Sequence, residues 1–167
     1  MRVSLPALLA SAVCLALAPR AAAAQGEFHW NGKVAPGKSI EIKGVNGDVR
    51  AVASSGGGDV EVTAVKHAHR SDPDDVKIEV VPHEDGVTIC AVYPGDGRRE
   101  NTCDAGRGGH MNVRDNDVTV DFTVRVPAGV RFVGTTVNGE VGAANLASDV
   151  EASTVNGSIR ISTSGYA

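Results

Sequence analysis

The chain has 167 residues and a formal net charge of −4 at pH 7, and 42% of its residues are hydrophobic. Nucleic-acid-binding domains of this size are usually basic, so the charge argues against that class of protein. After residue 24 the chain contains 23 Val and 6 Ile but a single Leu, and it contains all 20 Gly residues. Because β-branched residues favour strands and Gly favours turns, this composition predicts an all-β protein.

Residues 1–24 have the pattern of a secretory signal peptide. The segment has an arginine at position 2, a largely apolar stretch over residues 3–18 and three alanines at 22–24. We therefore predict cleavage before Gln25 and a single exported domain over residues 25–167, located in the periplasm, at the cell surface or in the medium. That domain has 14 Lys and Arg against 20 Asp and Glu, a formal charge of −6. Its sequence contains no stretch long enough for a transmembrane helix.

Strand patterns follow along the rest of the chain. Apolar residues alternate from Ile40 to Val45, an Asn-Gly turn comes next at Asn46, and the alternation then resumes. Two strand-like runs lie at 76–81 and 87–92, with a turn between them. The clearest alternation covers residues 118–126 and ends before a proline, which cannot continue a strand ladder.

A loop of about two dozen residues between Pro94 and Asp117 has little apolar content. Loops of this length are typically functional or disordered. Five basic side chains make it locally positive within an acidic protein, and they form a candidate ligand loop: Arg98, Arg99, Arg107, His110 and Arg114. Such side chains can bind anionic polysaccharide or lipid headgroups through charge-assisted hydrogen bonds. The alternative is a soluble, mobile loop without a ligand.

Two cysteines, Cys90 and Cys103, remain after the predicted cleavage site. Because exported proteins reach an oxidising compartment, the pair predicts a disulfide bond that closes a short loop. The alternative is a pair of free thiols or half of a metal site, although the spacing does not match that of zinc ligands.

The last third of the chain is repetitive. The segment Thr136-Val-Asn-Gly-Glu-Val recurs eighteen residues later at Thr154-Val-Asn-Gly-Ser-Ile, and apolar residues repeat every nine residues. This period predicts a β-solenoid-like stack, with a short strand and a turn per half-repeat, and an irregular middle section. Stacking would place equivalent asparagines at one corner as a hydrogen-bonded ladder; the repeat-turn asparagines are Asn46, Asn138 and Asn156. The alternative is an antiparallel β-sandwich, in which the Asn-Gly pairs close type I′ hairpins.

The Val-Asn-Gly repeats, the strand Asp121–Val126 followed by Pro-Ala-Gly, and the signal peptide together carry a resemblance to a known family. The chain resembles the bacterial putative-adhesin family of β-strand-repeat proteins, a domain of unknown function. The resemblance covers residues 38–167 and implies a right-handed β-helix-like stack outside the cytoplasm. It implies no catalytic residues. Family members continue with further Asn-Gly coils where this sequence stops within a coil, so we expect either a fragment or an open last edge.

No catalytic motif, cofactor motif or metal-site pattern stands out in the sequence. We therefore expect a non-catalytic module for binding, adhesion or envelope scaffolding, with no cofactor. The expected partners are envelope polysaccharide or another protein that pairs with an exposed strand edge, and self-association through that edge is included. The alternative is a polysaccharide-active enzyme, for which two carboxylates must converge within ~5–10 Å.

Overall fold

A computed structural model describes residues 26–56 and 58–167, so the predicted signal peptide lies outside the described residues. These residues form eleven strands and one 3₁₀ turn at Pro73–Asp75. The strands are β1 Glu27–Lys33, β2 Ser39–Lys43, β3 Val49–Ala53, β4 Asp59–His67, β5 Lys77–His83, β6 Gly86–Val92, β7 Thr119–Val126, β8 Arg131–Asn138, β9 Val141–Leu146, β10 Val150–Asn156 and β11 Ile159–Thr163. No helix in the described part of the chain is long and apolar enough to cross a membrane.

The strands form two mixed sheets that pack as a sandwich. One sheet has the order β1-β4-β7-β3-β9-β11 and the other has the order β10-β8-β2-β6-β5. Pairs β1–β4, β4–β7 and β5–β6 are antiparallel. The strands that flank the three Asn-Gly turns pair with one another in parallel: β2 with β8, β8 with β10, β3 with β9 and β9 with β11. The all-β prediction is confirmed. A solenoid along the whole chain is wrong for the described residues, because strands of the middle section pair antiparallel and interrupt the stack.

Three strand-turn-strand units stack in parallel, and we call each a rung. The first rung is β2–β3, the second is β8–β9 and the last is β10–β11. Each rung places one strand in each sheet, so its Asn-Gly turn joins the two sheets and closes no hairpin. Ile159 pairs with Val141, as the eighteen-residue period predicts. The first rung also pairs with the second, although most of the chain's middle section separates them.

The core lies between the sheets and follows the rungs as apolar columns. Ile40 pairs with Phe132, and Phe132 pairs with Val150; all three side chains are buried. Because strand side chains alternate between faces, alternate residues of β3 and β8 are buried in this core. Full burial of a Val, Ile or Phe side chain contributes roughly 1.5–3 kcal/mol. These columns fix the register of the rungs and therefore the alignment of their turns.

Candidate functional site

The repeat-turn asparagines form a ladder at one corner of the stack. Asn138 Nδ2 donates to Asn46 Oδ1 at 2.8 Å, and Asn156 Nδ2 donates to Asn138 Oδ1 at 2.9 Å. The predicted hydrogen bonds are present, and they extend to the first rung. All the bonds have the same direction, so aligned amides polarise one another. The ladder therefore begins with the Asn46 amide N–H groups and ends with the Asn156 Oδ1 acceptor.

A threonine hydroxyl and a glycine also secure the turns between rungs. Thr136 Oγ1 donates to the carbonyl of Gly47 at 3.0 Å, and Thr154 Oγ1 donates in the same way to the carbonyl of Gly139 at 3.0 Å. A Cβ atom added at Gly139 would overlap the carbonyl of Gly47, so only glycine fits against the preceding rung. The threonine and the glycine belong to the Thr-Val-Asn-Gly segment that recurs in the sequence. The period of the repeat did not indicate which atoms they contact.

Carboxylates form a second column, in which Asp121 of β7 is followed by the acidic residues after the first two Asn-Gly turns. Asp121 Oδ1 accepts from the N–H of Asp48 at 2.8 Å, and Asp48 Oδ1 accepts from the N–H of Glu140 at 2.8 Å. Glu140 Oε2 in turn accepts from Ser158 Oγ at 2.9 Å and pairs with Arg160. Each of these carboxylates is bonded to the next rung, so this column stabilises the stack. We therefore assign no acid–base pair to these groups.

The long loop between β6 and β7 is tied down at its centre. Cys90 and Cys103 form the predicted disulfide bond. The buried Asn101 side chain donates to the carbonyls of Tyr93 at 3.0 Å and Asn112 at 2.9 Å, and its Oδ1 accepts from the N–H of Asn112 at 2.8 Å. One buried amide therefore joins both arms of the loop.

Two polar residues of β2 hold the tip of this loop, and neither was singled out in the sequence. The Lys43 ammonium donates to the carbonyls of Asp104 and Gly106 at 2.5 Å and of Gly108 at 3.1 Å. The buried Glu41 carboxylate accepts from the N–H of Gly106 at 2.9 Å and from Thr88 Oγ1 at 2.6 Å. Their only signal in the sequence is polarity at alternate positions of a strand, which is typical of any strand with one solvent-facing side.

The end of the loop is anchored by Asp117. Its carboxylate accepts from the N–H of Ser71 at 2.9 Å and from the N–H of Arg70 at 3.1 Å. These backbone hydrogen bonds, that of Ser71 first, hold the pKa of Asp117 well below its usual range. The start of the loop is buried: burial raises the pKa of the Tyr93 hydroxyl to about 12, and this hydroxyl donates to the carbonyl of Val118 at 2.8 Å.

A groove of about 560 Å³ lies between the asparagine ladder and the second arm of the loop, and we call it the ladder groove. Two of the ladder asparagines, Asn46 and Asn138, line it together with His110. Apolar side chains also line it: Val45, Val137, Met111 and Val113. Ligand sites typically combine apolar walls with a few polar groups in a volume of this order. The structure thus brings the predicted asparagine ladder next to one residue of the candidate ligand loop, His110.

The other basic residues of the candidate ligand loop do not join His110. Arg107 lines a hollow beside Arg131 and Glu151, whereas Arg114 lines another beside Arg70. Arg98 is exposed, and its N–H donates to Asp96 at 3.0 Å, which lowers the pKa of that carboxyl. Arg99 is exposed as well. The basic residues of the loop therefore line separate hollows, and the candidate ligand loop stays a prediction. Among residues 26–56 and 58–167, no three His, Cys, Asp or Glu side chains are grouped so that they could hold a metal ion.

The last rung forms one edge of each sheet, with β11 at the end of one and β10 at the end of the other. Val141 of the second rung is 0% exposed, whereas Ile159, in the same column, is 46% exposed. Val155 and Tyr166 are 74% and 85% exposed. At this edge the N–H of Val150 donates to the carbonyl of Tyr166 at 2.7 Å. The N–H groups of Gly157 and Ile159 and the apolar side chains beside them have no partner in the described part of the chain.

No protein-family model matches this chain, and no curated protein is similar to it at a significant level. Among solved structures, the chain is similar to a putative cell adhesion protein from Clostridium sporogenes, with 9% identity and a TM-score of 0.42 over 83% of this chain and 61% of that one. It is also similar to a putative adhesin from Bacteroides fragilis, with 15% identity and a TM-score of 0.40 over 84% of this chain and 56% of that one. This chain thus spans less than two thirds of either protein's length, and its membership of the putative-adhesin family stays a prediction.

Proposed function

We propose that this chain is an exported, non-catalytic binding module of the cell envelope that makes contacts through the open edge of its last rung. The observation that carries the proposal is the exposure of Val155 on edge strand β10, of Ile159 and Ile161 on edge strand β11, and of Tyr166 after β11. Exposed apolar surface next to unpaired strand edges is typical of interaction sites, and pairing by added strands supplies affinity through main-chain hydrogen bonds. The disulfide supports an oxidising compartment.

The test compares residues 25–167 with two edge variants by sedimentation over a wide range of protein concentration. Val155→Lys places a charge on the open edge, because lysine on an edge strand opposes pairing. Asn31→Lys places the same charge on the exposed edge strand β1 as a matched control. We expect the wild-type protein and Asn31→Lys to self-associate and Val155→Lys to stay monomeric. A wild-type protein that is strictly monomeric at high concentration, and binds no purified envelope component, would contradict the proposal.

The ladder groove supports a second candidate function, the binding of envelope polysaccharide. Its amide, imidazole and apolar side chains suit a neutral sugar, whose hydroxyls bond to polar groups while its ring contacts apolar walls. A titration with an N-acetylglucosamine tetramer, followed by amide chemical shifts, tests this. We expect the sugar to shift the amide signals of Asn46, Asn138 and His110. The shifts at Asn46 and Asn138 should be smaller in His110→Ala and unchanged in Arg98→Ala. Shifts scattered over the protein surface, or shifts of the same size in the wild-type protein and in His110→Ala, would exclude the groove as the site.

A further inference from the structure

Around its Asn-Gly turn, the open edge presents the same groups that the second rung uses to hold the last rung. At the start of β10, by contrast, the N–H of Val150 already donates to the carbonyl of Tyr166 at 2.7 Å. Gly47 N–H donates to the carbonyl of Asn138 at 2.9 Å, and Gly139 N–H donates to that of Asn156 at 3.1 Å. The next N–H in this column belongs to Gly157, at the edge where no strand follows in the described residues. The molecule therefore already contains this glycine-to-asparagine hydrogen bond twice, and Gly157 N–H could form a third.

A second backbone column repeats in the same way. Val49 N–H donates to the carbonyl of Glu140 at 2.9 Å, and Val141 N–H donates to that of Ser158 at 2.9 Å. Ile159 N–H comes next. Because both columns are formed by parallel pairs, the open edge is set to accept a parallel strand-turn-strand unit.

The side chains specify this unit further. Asn156 Oδ1 ends the amide ladder as an acceptor, so an incoming side chain at this corner must supply an amide donor. Thr154 Oγ1 bonds to the carbonyl of Gly139, so the carbonyl of Gly157 is the next acceptor for a threonine hydroxyl. A Cβ atom at Gly157 would overlap the carbonyl of Gly139, so an incoming unit needs glycine at that position.

We propose that the open edge selectively binds a polypeptide segment of the pattern Thr-x-Asn-Gly, docked in parallel as a fourth rung. This inference rests on the proposed function, since it takes the last rung as the contact surface, and it names the chemistry of the partner. Apolar residues that flank the Asn-Gly pair would cover Ile159 and Ile161, as those residues cover Val141 and Ala143. Binding is therefore a continuation of the interface between the second and last rungs.

The probe is a synthetic peptide with the sequence of residues 150–165, which begins beyond the place that Tyr166 occupies beside Val150. It is added to the isotope-labelled protein and followed by amide chemical shifts. A nitroxide on the peptide's amino terminus reports its direction. In parallel docking it broadens amides near Val150 more than those near Asn156. Peptides with Gly157→Ala, Asn156→Asp or Thr154→Val are the controls, and they leave the protein's own fold unchanged.

We expect the parent peptide to shift residues of β10 and β11, and Gly157→Ala to abolish these shifts. Asn156→Asp and Thr154→Val each remove one hydrogen bond, which weakens binding by about fivefold. Equal binding of all four peptides, antiparallel broadening or shifts confined to β1 and β5 would overturn the inference, while self-association through the edge would still support the proposed function. If the parent peptide does not bind at millimolar concentration, this inference is wrong; if Val155→Lys also leaves the protein's association unchanged, the proposed function fails with it.

Discussion

The second rung and the last rung carry nearly the same sequence but lie in different surroundings. Both contain Thr-Val-Asn-Gly, and both place a β-branched residue at the first position of the following strand. Val141 is fully buried between two neighbouring rungs, whereas Ile159 is about half exposed because it has a neighbour on one side only. The comparison shows that the repeat specifies how rungs fit together, while position in the stack decides whether a rung's contacts are satisfied or available for a partner.

The largest effect is expected where a turn touches the preceding rung. Gly139→Ala would drive a Cβ atom into the carbonyl of Gly47 and separate the first and second rungs. We expect a loss of about 3 kcal/mol in the free energy of unfolding, measured by chemical denaturation. Gly142→Ala is the control, because its Cβ would meet the nearest atom, Glu140 Oε1, at 3.6 Å. Equal effects of the two substitutions would contradict the close fit at the turns.

The burial difference between the rungs is tested by adding a hydroxyl at matched positions. Val141→Thr places the hydroxyl in the core without a partner and should cost about 2 kcal/mol of unfolding free energy. Ile159→Thr lies at the open edge, where water reaches the side chain, and should cost less than about 1 kcal/mol. Thermal unfolding of both variants measures the difference. If Ile159→Thr is as destabilising as Val141→Thr, the last rung is covered in solution.

The asparagine ladder predicts a smaller, graded effect. Asn138→Ala removes two ladder hydrogen bonds and Asn156→Ala removes one. At about 0.5–1 kcal/mol for each such bond, Asn138→Ala should destabilise the protein about twice as much as Asn156→Ala. Urea denaturation of the two single variants checks this ratio. The ladder would be energetically irrelevant if both variants unfolded at the wild-type midpoint.

Acid should affect the loop end of the molecule before it affects the contacts between the rungs. The pKa of Asp117 is lower in the folded than in the unfolded protein, so its hydrogen bonds stabilise the fold above about pH 4, and this stabilisation is lost as the pH falls further. Asp117→Asn should therefore flatten the acid side of the curve of melting temperature against pH. Amide exchange at low pH should rise first at Arg70 and Ser71. Rapid exchange at Asn138 under the same conditions would contradict this separation.

Much of the repeat region could be predicted from the sequence because its contacts repeat at a fixed spacing. Val141 and Ile159 pair as the period predicts, and the bonds between Asn138 and Asn156 follow from the same spacing. The bond between Asn46 and Asn138 follows from the shared Asn-Gly motif and not from the period, since the antiparallel middle section lies between them in the chain. The ladder groove could not be predicted, because it depends on Lys43 holding carbonyls of a distant loop.

The sequence by itself determined the all-β class, the disulfide and the register of the last two rungs, since composition and short-range periodicity encode these features locally. Only the tertiary structure decided that β4 pairs antiparallel with β7, that the two sheets form a sandwich and that the basic residues of the loop separate. The physical reason is that pairing between distant segments depends on which surfaces remain to be buried once the local units have formed. The same reason leaves the last rung exposed: its sequence specifies a neighbour, and the fold of the described residues provides one on a single side.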